Sequence, residues 1–240
     1  METEVTRTTT RTALGKAVDV HRPARSGRAP LPAVLFWHGI GADEREILRP
    51  VAKAAAAGGT VVFTPDWSAP EHLLDSLDFV RREAPRHGAD PDRLVVAGWS
   101  AGAGAAVALA TRPDLRLKAV IGIAGRYDLP ARTTGAPPLT ALPASTPVPV
   151  HLVHGTNDTA VDAAHSRALA ATLTTHGWPV RLAEPPSDHA GVLFGAYDEG
   201  LGRIVPSTTE PARRGGEATT EAILMAAVGG EPAQGAPPLT

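Results

Sequence analysis

Three side chains in this sequence have the types and order that nucleophilic chemistry needs: Ser100, Asp158 and His189. Ser100 lies at the centre of Gly98-Trp99-Ser100-Ala101-Gly102. A serine hydroxyl is a poor nucleophile at its own pKa, so it needs a base to take its proton and an acid to orient that base. Asp158 ends the run Val153-His154-Gly155-Thr156-Asn157-Asp158, and His189 ends Pro185-Pro186-Ser187-Asp188-His189. Serine, then acid, then histidine is the chain order expected when a G-x-S-x-G serine sits on a strand-to-helix turn. In such a trio the histidine takes the hydroxyl proton as the serine oxygen attacks a carbonyl, and the carboxylate holds the imidazole.

The surrounding elements must bring these side chains together. Arg93 to Ala97 reads as a strand entering the pentapeptide, and Ala101 to Thr111, rich in small residues, reads as the helix leaving it. A turn that tight leaves no room for side chains two residues before or after the serine, which accounts for both glycines. Further apolar runs at Ala33–Trp37, Val61–Phe63, Lys118–Ile123, Val148–Val153 and Pro179–Ala183 predict buried strands, with an antiparallel strand earlier at Ala17–Val20. Helical patterns fall between or after them at Glu44–Ala57, Glu71–Arg86, Asp162–His176 and Glu217–Val228. This alternation predicts an α/β fold: a mostly parallel, twisted central sheet with helices on both faces. The expected organisation is a flexible segment at 1–12, one domain over 13–228 and a disordered tail at 229–240. Each separation within the trio leaves room for one or two strand–helix units, so all three residues can reach one edge of the sheet.

His38-Gly39-Ile40-Gly41, Gly88-Ala89-Asp90-Pro91-Asp92-Arg93, Tyr127-Asp128-Leu129 and His154-Gly155-Thr156-Asn157-Asp158 add a family likeness. With the pentapeptide, they make the chain resemble the α/β-hydrolase fold superfamily, in its compact serine carboxylesterase-like branch. The resemblance implies Ser100 as nucleophile, Asp158 as acid and His189 as base, with no cofactor. It implies hydrolysis of carboxylic esters through an acyl-enzyme, and short acyl chains are expected because the proline-rich stretch from Arg126 to Thr146 is too short to form a lid. Amide, formamide or lactone hydrolysis, or acyl transfer, would use the same trio, and a ligand receptor on the same fold is the non-enzymatic alternative. His38-Gly39-Ile40-Gly41 resembles an oxyanion-hole turn. The expected donors to a developing oxyanion are the N–H of Ala101 and that of Ile40 or Gly39.

Composition narrows the field. At 240 residues and 43% apolar content, the chain suits one domain with a substantial core. A formal charge of −2 with no basic stripe argues against a nucleic-acid partner. No run is apolar enough to span a membrane, and the first residues lack a secretory apolar core, so a cytoplasmic enzyme acting on a small-molecule ester is expected. Cysteine is absent, which excludes a cysteine nucleophile of the dienelactone hydrolase kind as well as thiolate metal sites.

The other signals are weaker. His151 and His154 lie three apart on a strand and should point to opposite faces, so no metal site is expected. Asp128 and Asp162 are rival acids, the second placed to cap a helix. Asp188 is expected to stabilise its own loop. Trp99, Trp67, Tyr127 and Phe194 are expected to line a substrate pocket. The stretch from Arg126 to Thr146 holds four prolines and little periodicity, and is expected to edge an open site without forming a lid.

Overall fold

The computed structural model describes residues 3–25, 27, 29–141 and 147–228. Eight strands form one sheet: β1 (Val5–Arg11), β2 (Ala17–Pro23), β3 (Leu31–Trp37), β4 (Val61–Pro65), β5 (Ala89–Trp99), β6 (Ala119–Ile123), β7 (Val150–Val153) and β8 (Val180–Ala183). Their spatial order is β1-β2-β4-β3-β5-β6-β7-β8. β2 runs antiparallel to both of its neighbours, and β4 through β8 are parallel. The fold class is the one expected from the alternation of strand and helix.

Side chains one residue apart on a strand point to opposite faces, and the core divides accordingly. On β3, Ala33, Leu35 and Trp37 face one cluster, while Val34 and Phe36 face another. Helices α2 (Pro70–Glu83), α3 (Ala101–Ala108) and α4 (Ala164–Thr175) cover the first face through Leu73, Leu77, Val107, Leu169 and Leu173. Helices α1 (Arg45–Ala57) and α5 (Glu210–Val228) cover the second through Leu48, Val51, Ile223 and Ala227. Both faces of the central strands are therefore dry, which is why they read as unbroken apolar runs.

Two expectations need correction, and one element is additional. Within the segment 1–12, expected to be flexible, Val5–Arg11 is strand β1, paired in register with β2 from Val5 opposite Pro23 to Arg11 opposite Ala17. Its Val-Thr-Arg-Thr-Thr-Thr-Arg sequence lacks an apolar face because β1 is a largely exposed edge strand, and its β-branched threonines suit that place. A second, two-stranded ribbon, β9 (Gly195–Asp198) with β10 (Arg203–Pro206), was not anticipated. Helix α5 begins at Glu210, not Glu217, because it passes straight through Gly215 and Gly216. A Cβ at Gly216 would stand 2.2 Å from Cγ of Phe194, and one at Gly215 would stand 2.4 Å from Oγ of Ser187. The two glycines lower helix propensity but let α5 press against the loop that carries His189. The expected tail at 229–240 and the end of the proline-rich stretch, 142–146, lie outside the described residues.

Candidate active site

β5 feeds directly into α3, and Ser100 is the single residue between them. Its backbone sits at φ 55°, ψ −118°, a conformation that costs a non-glycine residue on the order of 1–3 kcal/mol. The surrounding framework holds it there. The Ser100 N–H donates to the Ile123 carbonyl at 2.9 Å, and its own carbonyl accepts from Ala103 N–H at 3.0 Å. A Cβ at Gly98 would fall 2.0 Å from the Gly102 carbonyl oxygen, and one at Gly102 would fall 2.5 Å from that of His38. Only glycines fit at both places, as the pentapeptide required.

Asp158 lies beyond the carboxyl end of β7, and His189 lies in the loop that follows β8. His189 Nε2 is 3.1 Å from Ser100 Oγ, and His189 Nδ1 is 2.7 Å from Asp158 Oδ2. The second carboxylate oxygen, Oδ1, accepts from the N–H groups of Ala160 at 2.9 Å and Val161 at 2.8 Å. The Asp158 side chain is wholly buried. Burial alone would raise its pKa, but the bonds from His154, His189 and the Val161 amide outweigh it and hold the carboxyl well below the usual carboxylate range. An ionised carboxylate thus faces one ring nitrogen of His189, and the serine hydroxyl faces the other.

A family model described as Phospholipase/Carboxylesterase matches residues 75–189, just under half of the chain. No protein of curated function matches the sequence. Among solved structures, the chain is similar to a Klebsiella pneumoniae subsp. pneumoniae MGH 78578 protein assigned as a dienelactone hydrolase. The TM-score is 0.70 at 18% identity, covering 92% of this chain and 98% of that one. It is similar also to the Pyrobaculum calidifontis esterase, with a TM-score of 0.65 at 21% identity over 94% of this chain and 85% of that one. An α/β hydrolase enzyme, MGS-M1, from a Medee basin deep-sea metagenome library matches with a TM-score of 0.64 at 20% identity, over 81% and 86% of the two chains. The likeness extends over most of the eight-stranded sheet and its covering helices. The chain has the α/β-hydrolase fold. At these identities the structural likeness is one of fold alone, and the absence of cysteine from this chain excludes a thiolate nucleophile.

The two rival acids are occupied elsewhere. Asp162 Oδ1 accepts from Ala164 N–H at 2.8 Å at the start of α4. Asp128 pairs with Arg126, at 2.7 Å, and with His165, at 3.4 Å. Asp188 stabilises its own loop, as expected, by accepting from the N–H groups of Ala190 at 3.1 Å and Gly191 at 2.7 Å. No group of three or more metal-ligating side chains occurs among the described residues, and no described helix is long and apolar enough to cross a membrane.

The four aromatics expected to line a substrate pocket do not line the cleft at Ser100. That cleft holds about 460 Å³ between α3 and the proline-rich stretch, bounded by Ala101, Ala105, Leu129, Arg132 and Val161. Trp99, Trp67 and Tyr127 are buried in the two cores, at 4%, 2% and 1% exposure. Trp99 instead supports the His189 loop: its Nε1 donates to the His189 carbonyl at 3.0 Å, and its ring centroid lies 4.9 Å from the imidazole. Trp67 stacks on His38 with centroids 5.4 Å apart. Phe194 lines a larger, separate cleft of about 630 Å³ between α1 and the β9–β10 ribbon, which holds none of the three reactive side chains. Alternation along a strand decides which face an aromatic takes, but not whether a helix covers that face.

One residue beside Asp158 went unrecognised. His154, in the family-like run that ends at Asp158, is fully buried with Nε2 3.3 Å from Asp158 Oδ2 and 2.9 Å from the Val161 carbonyl. Its Nδ1 lies 2.7 Å from Ser166 Oγ on α4. The signal was present, since His154 and Asp158 flank the same tight turn, but the sequence did not show which way the ring pointed.

Proposed function

We propose that this chain is a serine hydrolase of short-chain carboxylic esters, working through an acyl-enzyme. The carrying observation is the continuous line from Asp158 through both nitrogens of His189 to Ser100 Oγ. In this reading His189 Nε2 removes the Ser100 proton as Oγ bonds to the ester carbonyl carbon, and Asp158 stabilises the imidazolium that results. Collapse of the tetrahedral intermediate breaks the bond to the alcohol oxygen, which takes the proton from His189. Water then repeats the attack on the acyl-enzyme, giving the acid and restoring Ser100.

Negative charge on the substrate oxygen needs fixed donors. The Ala101 N–H belongs to the first turn of α3, where helix N–H groups lack intrahelical partners. For the second donor, Ile40 is favoured over Gly39. The Gly39 carbonyl lies 3.0 Å from the buried His38 Nδ1, and in a trans peptide the N–H points opposite the carbonyl. The same peptide therefore turns the Ile40 N–H away from His38. His38 is itself fixed, since its Nε2 accepts from the Trp67 backbone N–H at 3.3 Å.

The test is covalent labelling by a fluorophosphonate together with turnover of p-nitrophenyl esters, alongside amides and lactones. Ser100→Ala should abolish labelling and lower kcat on the order of a thousandfold or more. Asp158→Asn should cost up to about ten-thousandfold, by favouring the wrong histidine tautomer. Wild-type protein that neither labels nor turns over an ester, or a fully active Ser100→Ala protein, would overturn the proposal.

A further inference from the structure

The wall of the Ser100 cleft is electrostatically one-sided. Arg126 and Arg132 both line it, and among the described residues no carboxylate does. The chain as a whole carries a formal charge of −2, so the imbalance is local.

The two guanidiniums differ. Arg126 is engaged by Asp128 in a two-pronged pair, with Nε 3.1 Å and a terminal nitrogen 2.7 Å from the carboxylate oxygens. Its charge is largely offset. Arg132 has no hydrogen-bond or ion-pair partner among the described residues, and it is exposed. Its Cζ lies 5.4 Å from the centroid of the Trp67 ring. Trp67 is itself buried and donates from Nε1 to the His38 carbonyl at 3.2 Å. A cation over an aromatic face is held in place while its in-plane N–H donors stay free for a ligand. The flanking backbone is also tied down: Ala131 N–H donates to Ala136 at 3.0 Å, and Thr133 Oγ1 donates to the Ala105 carbonyl of α3 at 2.8 Å.

We propose that Arg132 forms an anion subsite of the Ser100 cleft, and that the natural substrate is an ester carrying a carboxylate away from the scissile bond. The planar guanidinium fork matches a carboxylate with two parallel N–H···O bonds. This inference rests on the reading of Ser100 as an esterase nucleophile.

Two matched pairs of esters test it. In the first, the charge is on the acyl part: 4-nitrophenyl hydrogen adipate against 4-nitrophenyl methyl adipate. In the second, it is on the alcohol part: 4-carboxyphenyl acetate against its methyl ester. One pair should show kcat/KM favouring the charged ester by about tenfold or more, expressed mainly in KM, the size of one charge-assisted hydrogen bond. The preference should shrink in about 1 M salt, where the screening length falls to about 3 Å. Arg132→Gln should remove most of that charged-to-neutral ratio, and Arg132→Lys should restore part of it. Absence of a charge preference in both pairs, or a preference undiminished in Arg132→Gln, would overturn the subsite. Ser100-dependent turnover of the neutral esters would, in that case, leave the esterase reading standing. If no ester of either kind is hydrolysed, the esterase reading fails and this inference fails with it.

Discussion

The proposed role of Asp158 requires that its carboxylate stay put, and beyond Ser100 and His189 the side chain that bears on this is His154. Oδ2 of Asp158 lies between two imidazoles, with His189 Nδ1 at 2.7 Å and His154 Nε2 at 3.3 Å. The Val161 carbonyl, 2.9 Å from His154 Nε2, can only accept, so Nε2 carries the proton and points it toward that carbonyl and Asp158, while Nδ1 of the neutral ring accepts from Ser166 Oγ at 2.7 Å. His154 thus acts through Asp158 as a positioning residue. His154→Phe should lower kcat about tenfold with KM nearly unchanged, because the carboxylate loses a tether and no substrate contact is lost. It should also cost roughly 1–3 kcal/mol of stability, since the Val161 carbonyl and Ser166 hydroxyl lose a buried partner. Rates read beside urea midpoints separate the two effects. A stability loss with kcat unchanged would make His154 a packing residue only.

Among the elements, the β1–β2 edge under α1 carries a pH dependence of its own. His21 of β2 lies opposite Arg7 of β1 and beside Val62 of β4, and is 2% exposed. Neither ring nitrogen has a hydrogen-bond partner among the described residues. Burial, with the nearby Arg7 and Arg49 guanidiniums, lowers its pKa to about 4, against a smaller opposing pull from Asp19 and Glu46. The fold therefore favours the neutral ring while the unfolded chain protonates near 6.5. Stability from this residue is complete above pH 6.5 and declines as the pH falls toward 4, by about 3 kcal/mol over that window. Asp158, whose pKa is depressed, stabilises the fold above its unfolded value of about 3.9 and loses that contribution only at lower pH, outside the His21 window. Urea melts at pH 7 and pH 4.5 should show the decline in wild type and a much flatter response in His21→Leu. Equal slopes in the two proteins would assign the pH effect to other groups.

For the whole molecule, the decisive quantity is how much apolar surface the cleft offers an acyl chain. The stretch over residues 126–141 forms turns, contributes no helix or strand, and edges the cleft at Arg126, Leu129 and Pro130. A cleft of about 460 Å³ that opens to solvent can bury only a short chain. Each buried methylene is worth about 0.8 kcal/mol, or roughly fourfold in kcat/KM. That gain should run from acetyl to about hexanoyl in a p-nitrophenyl ester series and then stop, with no activation at an oil–water interface. A preference for emulsified long-chain triglycerides over soluble short esters would contradict this expectation.

Ser100, Asp158 and His189 were legible in the sequence because each is announced by its own backbone context. The glycine pair around Ser100 encodes a turn that only those residues permit, and short apolar runs encode the strands that end beside Asp158 and His189. Order and spacing then place all three at one sheet edge. The edge strand β1 was not legible, because an exposed strand carries no apolar alternation to read. The start of α5 was hidden too, since Gly215 and Gly216 argue locally against a helix and are explained only by Phe194 and Ser187 on another element. The same limit applies to the aromatics. A tryptophan's type says that it will be buried, and only the packing of the His189 loop decides that Trp99 lies against the His189 imidazole. Local sequence sets backbone conformation through sterics and periodicity. Which distant side chains then share a wall, as Arg132 and Ser100 do, is set by how the helices pack across the sheet.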